Sequence, residues 1–160
     1  MEIYYFTPDG MKRFEAELKR ISDRVETEGL KAGAACQESA ETWHDNFGFE
    51  DAKRQQAMWS HRLKEMVGVL RSAQVVDPAI DLISPMVGIC RTVSIRNLDT
   101  DERLTYKIGS YMVFPEKEAV VREISYDSPI AQILGGATVG EIRSGLIDNK
   151  KHRFVVLKIE

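Results

Sequence analysis

The pattern Met11-x-x-Phe14-x-x-x-Leu18-x-x-Ile21-x-x-x-Val25 continues past Glu28 to Ala32 and Ala35. Further on it is answered by Phe49, Ala52, Trp59, Leu63, Met66, Leu70 and Ala73, with Gln56 in the one remaining seam position. Steps of three and four average 3.5 residues and keep one narrow stripe facing a partner, the mark of a coiled coil. The short polar and aromatic segment 38–46 lies between the two runs, so both stripes can be buried against each other within one chain. The charged faces outside the seam favour this antiparallel hairpin over two helices laid separately on a globular core.

Thr7-Pro8-Asp9 marks the start of the first helix. Thr7 suits the cap, Pro8 the first helical position, and Asp9 the positive end of the helix dipole. The helix is expected from Pro8 to about Ser39, roughly 45 Å at about 1.5 Å per residue. Gly29 and Gly33 weaken its far part by ~1 kcal/mol each, unless they serve close helix approach. The second helix is expected to begin at 46–49 and to end before Asp77-Pro78, since proline disfavours helix at the residue before it.

Beyond this stretch the period changes. Residues 78–85 read as a linker. Residues 87–96, 103–108, 120–124, 138–147 and 152–159 read as strands, with turns at 97–101 and 148–151. Ser128-Pro129 repeats the cap-plus-proline signal, predicting a short helix over 129–134 that Gly135-Gly136 stops. The expected fold class is therefore α+β: a helical coiled-coil hairpin over residues 1–77, a linker at 78–85, and a small, mainly antiparallel β domain with one short helix over 86–160.

The chain has 160 residues, 43% hydrophobic and 29% charged, with a net charge of −3. That is ordinary globular composition and lacks the basic excess of a free nucleic-acid binder. No apolar run approaches the roughly 18 residues that span a bilayer, and Met1-Glu2-Ile3-Tyr4-Tyr5 is unlike a signal peptide. A protein of the cytoplasm without a membrane partner is expected. The two cysteines, Cys36 and Cys90, do not suggest a disulfide framework.

The acidic segment between the helices holds Glu38, Glu41, Asp45, Glu50 and Asp51 around Trp43 and His44. Such carboxylates could hold a hard cation such as Mg²⁺, which takes one or two protein carboxylates and keeps waters or substrate oxygens. On composition alone a solvated acidic turn is the commoner meaning of such a segment. Lys53 and Arg54, on the second helix, could hold a phosphate or be paired locally at i, i+4. The scattered His44, His61 and His152 fit no zinc spacing. The run Gly135-Gly136-Ala137-Thr138-Val139-Gly140 follows a short helix, so it reads as a helix stop and strand entry, not a dinucleotide fingerprint.

Three stretches resemble the bacterial Gre transcription factors of the GreA/GreB family. The first is Asn46-Phe47-Gly48-Phe49-Glu50-Asp51-Ala52-Lys53-Arg54-Gln55-Gln56, similar to the segment that follows the family's acidic tip. The second is Leu70-Arg71-Ser72-Ala73-Gln74-Val75-Val76-Asp77, similar to the end of its second helix. The third is Ile124-Ser125-Tyr126-Asp127-Ser128-Pro129-Ile130-Ala131 with Leu134-Gly135-Gly136-Ala137-Thr138-Val139-Gly140-Glu141. Asn97-Leu98-Asp99-Thr100-Asp101-Glu102 also fits the family's turn after the linker.

The resemblance implies an FKBP-like C-terminal domain that docks at the mouth of the RNA polymerase secondary channel, with Ser128, Pro129 and Ile130 at the docking loop. It implies a coiled coil that reaches toward the polymerase active site. There Glu41 and Asp45 would help hold a second Mg²⁺ for hydrolysis of backtracked RNA, and Lys53 and Arg54 would favour the RNA phosphates. No cofactor is expected to bind stably to the chain alone; the Mg²⁺ would be shared with RNA polymerase. The chain is expected to be a monomer with no complete active site of its own.

The family's tip reads G-D-x-x-E-N, whereas this chain has Glu41-Thr42-Trp43-His44-Asp45-Asn46. Thr42 stands at the first acid position and Asp45 at the second, and Gln132 replaces an arginine near the docking loop. Two readings therefore stand side by side: a stimulator of transcript cleavage, and a non-cleaving occupant of the channel that modulates transcription. A third sets the family's role aside and reads the chain as a coiled-coil interaction module or an FKBP-like prolyl isomerase, the latter needing an apolar aromatic pocket.

Overall fold

A computed structural model describes residues 2–38, 47–81, 84–114 and 120–160. The chain divides into two compact units, one formed mainly by residues 14–72 and the other by residues 3–13 together with 73–160.

The first unit is the helical hairpin. Helix α1 spans Pro8–Glu38 and α2 spans Phe47–Arg71, so the period-3.5 stripes fold as expected. At about 1.5 Å per residue the 31 residues of α1 make a rod of about 46 Å. The helices run antiparallel. Arg20 and Arg24 each place a guanidinium 5.9 Å from the Trp59 ring, and further along α1 the position of a Gly29 Cβ would lie 2.6 Å from Gln56 Nε2. Going up α1 from 20 to 29 thus means going down α2 from 59 to 56. Gly29 is a close-approach residue whose missing Cβ leaves room for Gln56, while Gly33 faces open space.

Phe14, Ile21 and Ala32 of α1 and Ala52, Met66 and Val69 of α2 are buried. Glu28, the interruption in the apolar series, is buried too, at 3% exposure. Its Oε1 lies 3.1 Å from Arg24 Nε and 3.0 Å from Lys31 Nζ. The seam differs from expectation at its end, where Val69 is buried and Leu70 lies 37% exposed. The reason is the early end of α2. The Ser72 N–H donates to the Val69 carbonyl, and Ala73–Val75 leaves the helix as strand β2. Helical periodicity carries this segment on toward Asp77; strand pairing overrides it.

The partner of β2 is a strand that no local sequence pattern announces. Strand β1, Tyr4–Phe6, pairs with β2 in parallel, Tyr4 opposite Ala73 and Phe6 opposite Val75. The Val76 N–H extends the ladder to the Phe6 carbonyl. Both strands group with the second unit, as does the start of α1, although the division expected at 77 left them with the helices. The cap of α1 works as expected: Thr7 Oγ1 accepts from the Gly10 N–H at 2.9 Å, and the Thr7 N–H donates to Ser110 Oγ at 3.0 Å. A Cβ on Gly10 would sit 1.8 Å from Ser110 Oγ, so only glycine lets this turn meet Ser110.

After a single turn of helix, α3 at Pro78–Asp81, the second unit is a five-stranded sheet. Its strands are β3 Thr92–Asn97, β4 Arg103–Gly109, β5 Arg122–Ser125, β6 Ile142–Ile147 and β7 Lys150–Ile159, in the order β5-β4-β3-β7-β6. The sheet is mixed. β5 joins β4 in parallel, because the chain returns through the long connection between Gly109 and Arg122 instead of a tight turn. The β6–β7 hairpin closes through Asp148 and Asn149, at φ 49° and 62°, the paired left-handed conformation of a two-residue type I′ turn.

Short helix α4, Pro129–Leu134, covers one face. Its Ala131 and Leu134 join Val87, Val93, Ile95, Ile108, Ala137, Phe154 and Val156 in one buried cluster. Gly136, at φ 72°, takes the chain out of α4, as its reading as a helix stop requires.

Candidate functional site

Glu41 and Asp45, the two carboxylates expected to hold a metal, lie with Trp43 and His44 outside the described residues, in the eight-residue connection between α1 and α2. Among the described residues no group of three or more His, Cys, Asp or Glu side chains could hold a metal ion.

The expected phosphate contacts lie just beyond, on the first turns of α2. Lys53 is exposed, its ammonium 5.3 Å from the Phe49 ring, a contact that holds the cation over its own helix face. Arg54 is exposed as well and engages Asp51 one turn back. Arg54 is therefore engaged by a local, solvent-exposed pair, whereas Lys53 has no carboxylate partner among the described residues.

Ser128, Pro129 and Ile130 open α4. Ser128 is the N-cap, at φ −67° and ψ 148°, and its hydroxyl accepts from the Ala131 N–H at 3.4 Å. Pro129 follows at the first helical position, exposed, and Ile130 packs against the sheet core. Of the three, Pro129 is the one whose side chain faces outward. Gln132, at the family's arginine position, donates from Nε2 to Asp127 Oδ1 at 2.8 Å, so it stiffens the same loop without bringing charge. Ser125 ties the loop to the next segment: its hydroxyl donates to the Tyr111 carbonyl at 2.9 Å and accepts from the Asp127 N–H.

Two cavities flank this loop. The larger, of about 800 Å³, is lined by Val113, Phe114 and Val120 on the apolar side and by Lys107, Arg122 and Glu123 on the charged side, with Ser125 and Ser128 at its edge. The smaller, of about 330 Å³, lies among Tyr111, Met112, Ser125, Asp127 and Ser128. Glu123 is fixed by Arg13, whose Nη2 lies 2.7 Å from Oε2, while Oε1 is buried and has no hydrogen-bond partner among the described residues. Gly109 makes room for it, since a Cβ there would lie 2.1 Å from Oε1.

The sequence pattern marks the loop but not these walls. Lys107, Arg122 and Glu123 come together only through the parallel β4–β5 register, Lys107 opposite Glu123. No local pattern signals that pairing. Near the loop, burial pushes the Tyr126 hydroxyl's pKa up, and the hydroxyl accepts from the Tyr5 N–H at 3.3 Å.

No helix among the described residues is long and apolar enough to cross a membrane. A family model described as transcription elongation factor GreA/GreB, C-terminal, matches residues 83–160. A transcription elongation factor GreA of Psychrobacter sp. (strain PRwf-1) is 33% identical over 153 residues, covering 92% of this chain and 94% of that one. One from Halorhodospira halophila is 31% identical over 134 residues, covering 82% and 81%. Among solved structures, GreA factor homolog 1 of Thermus thermophilus aligns over 99% of both chains at 22% identity with a TM-score of 0.44. The GreA/GreB factor from Nitrosomonas europaea aligns over 99% and 98% at 17% identity with a TM-score of 0.35. With two relatives above 30% identity over four-fifths or more of both chains, this protein belongs to the GreA/GreB family of transcription elongation factors.

Proposed function

We propose that the chain acts as a monomer, in the cytoplasm, on bacterial RNA polymerase, entering the secondary channel with its hairpin and stimulating cleavage of backtracked transcripts. The observation that carries the reading is the antiparallel pairing of α1 and α2 through Arg20, Arg24 and Trp59, then Gly29 and Gln56. Such a pairing supports a long, narrow element, and the acid-bearing connection 39–46 joins the ends of its helices farthest in sequence from the sheet unit. In this reading Ser128, Pro129 and Ile130 form part of the docking surface, with the adjoining cavities accepting side chains of the polymerase.

The donor set suits the metal the family implies. Carboxylate oxygens are hard ligands, and Mg²⁺ is satisfied by one or two of them when waters and substrate oxygens complete its shell. Glu41 and Asp45 would hold the ion jointly with the polymerase, and the bound ion would supply Lewis-acid activation of the attacking water. The chain's other contribution is electrostatic. Lys53, unpaired by any carboxylate among the described residues, attracts the phosphates of the extruded RNA 3′ end, with Arg54 beside it in a weaker role because Asp51 already engages it.

The substitution of Thr42 at the family's first acid position, with Asp45 one methylene shorter than glutamate, favours a second reading. In it the same hairpin occupies the channel without placing a metal and modulates transcription by occupancy, since productive geometry tolerates little displacement. Stalled elongation complexes with purified polymerase separate the two. The first reading expects faster shortening of the transcript with the wild-type chain and loss of that acceleration in Asp45→Ala. Equal, slow cleavage by both, with displacement of an active cleavage factor, establishes the second. Failure to compete for polymerase removes both.

A further inference from the structure

We propose that the outward face of the sheet, opposite α4, is a second docking surface, and that its occupant is an acidic amphipathic helix of a protein partner. The strand register places Ile142, Ser144 and Leu146 of β6 beside Val155, Arg153 and Lys151 of β7. β3 adds Arg96 beside Val155, and β4 adds Arg103 beside Arg96. Ile142 and Leu146 are 59% and 67% exposed, and Leu157, left unpaired at the irregularity between β3 and β7, is exposed too. β6 is an edge strand, which proteins normally blunt with charge, yet none of its outward side chains is charged.

The charged outward positions of β3, β7 and the start of β4 are cations, Arg96, Arg103, Lys151, Arg153 and Lys158, whereas Lys107 further along β4 stands opposite Glu123 of β5. Arg96 and Arg103 stand directly opposite each other, an arrangement that destabilises a sheet unless something offsets the repulsion. Inside the molecule Asp101 engages Arg96 and Asp99 engages Arg153 at 2.8 Å, both from the turn after β3, and Glu160 engages Lys158 at 2.6 Å. Arg103 and Lys151 are exposed with no carboxylate partner among the described residues. The surface thus asks for carboxylates beside aliphatic groups. Exposed Ile142, Leu146 and Leu157 argue for a protein occupant and against a nucleic-acid backbone, which brings no apolar surface to cover them. A helix laid along β6 sets its apolar stripe over Ile142, Val155 and Leu146, and its carboxylates toward Lys151 and Arg103.

The test needs no polymerase, because the proposed occupant is a helix offered to the sheet directly. The full-length chain is titrated with a helix-forming peptide of leucine–glutamate heptads and followed by amide chemical shifts. A second peptide carries glutamine for glutamate, and a single-stranded RNA oligonucleotide is the third probe. The expected result is saturable binding of the glutamate peptide with shifts confined to β3, β4, β6 and β7. The glutamine peptide or Leu146→Asp should weaken it about 10-fold or more, and Leu146, being exposed, can be changed without unfolding the chain. Absence of saturable binding overturns the proposal. So does equal binding of the two peptides, or RNA binding to the same residues more tightly than the glutamate peptide.

Discussion

The helical seam and the sheet core bury side chains of the same kinds under different constraints. In the seam, fully buried residues such as Phe14, Ile21 and Met66 are spaced along two rods, and Leu18, Val25, Trp59 and Leu63 between them are only half-buried. In the sheet unit, Val93, Ile95, Phe154 and Val156 lie on adjacent strands under Ala131 and Leu134 and form one continuous cluster. A seam can tolerate a charged residue such as Glu28, because solvent is never more than one side chain away. The sheet unit also buries a charged side chain, Arg91, whose Nη2 donates to the Ser84 carbonyl at 2.8 Å, but its apolar side chains close into one cluster. The difference teaches where each region stores its stability: layer by layer in the hairpin, collectively in the sheet.

The largest effect that would break this comparison is in the sheet. Phe154→Ala removes a ring that is 2% exposed and leaves a cavity among rigid neighbours, so a loss of about 3–5 kcal/mol is expected for the sheet unit. Both tryptophans of the chain fall in the hairpin segment by sequence, so indole fluorescence reports on that region. Amide shifts of β3 and β7 report on the sheet. Denaturant titration read by both probes should show the sheet transition falling first. A sheet transition within about 1 kcal/mol of wild type, by the same cavity argument, would mean that the cluster collapses around the gap and is not the collective core described here.

What was legible in the sequence divides along the same line. The seam announced itself because a coiled coil repeats locally: Phe14, Leu18, Ile21 and Val25 state the period without any distant partner. Ser128-Pro129 and Gly135-Gly136 fixed both ends of α4 for the same reason. The β1–β2 pair stayed hidden because it is parallel and joins residues about seventy positions apart, and Ala73-Gln74 carries helical propensity that only pairing with Tyr4–Phe6 overrides. The parallel entry of β5 has no local signal for the same reason, and neither does the wall of Lys107, Arg122 and Glu123 beside the Ser128 loop. The hairpin's acids were legible as acids, but Thr42 in place of a carboxylate left their chemistry open, and Glu41 and Asp45 lie outside the described residues.

Glu28 sharpens the comparison with an effect of opposite sign. Its carboxylate is buried against Arg24 and Lys31, whose side chains remain about half exposed. Taking the carboxylate out of water costs more than two solvent-screened partners return, and its removal strands no buried cation. Glu28→Leu is therefore expected to stabilise the hairpin by on the order of 1 kcal/mol, seen as a later indole transition in denaturant. Destabilisation by a similar amount would show that the seam depends on this polar layer for its register, as single polar residues do in some coiled coils.

The smallest effects are those of pH, and they probe the surfaces of both regions. In the hairpin, Glu17 is held below the usual carboxylate range by its hydrogen bonds from Arg20. In the sheet unit, Asp99 is held low by Arg153, and Glu141 by the Thr138 N–H. A carboxylate whose folded pKa is depressed contributes its full stabilisation above the unfolded value of about 4, and that contribution is lost as pH falls through the folded value. Both transitions should therefore weaken as pH falls below about 4, only modestly, because these groups are largely solvated and screened. Arg153→Gln removes the first cause of the Asp99 shift while leaving the backbone donation from residue 153 to Asp99 Oδ2 at 2.8 Å. Its acid slope in the sheet transition should be shallower than wild type, with the indole transition of the hairpin unchanged. An unchanged sheet slope would assign the acid sensitivity to Glu141, whose principal donor is a backbone N–H that no side-chain substitution removes.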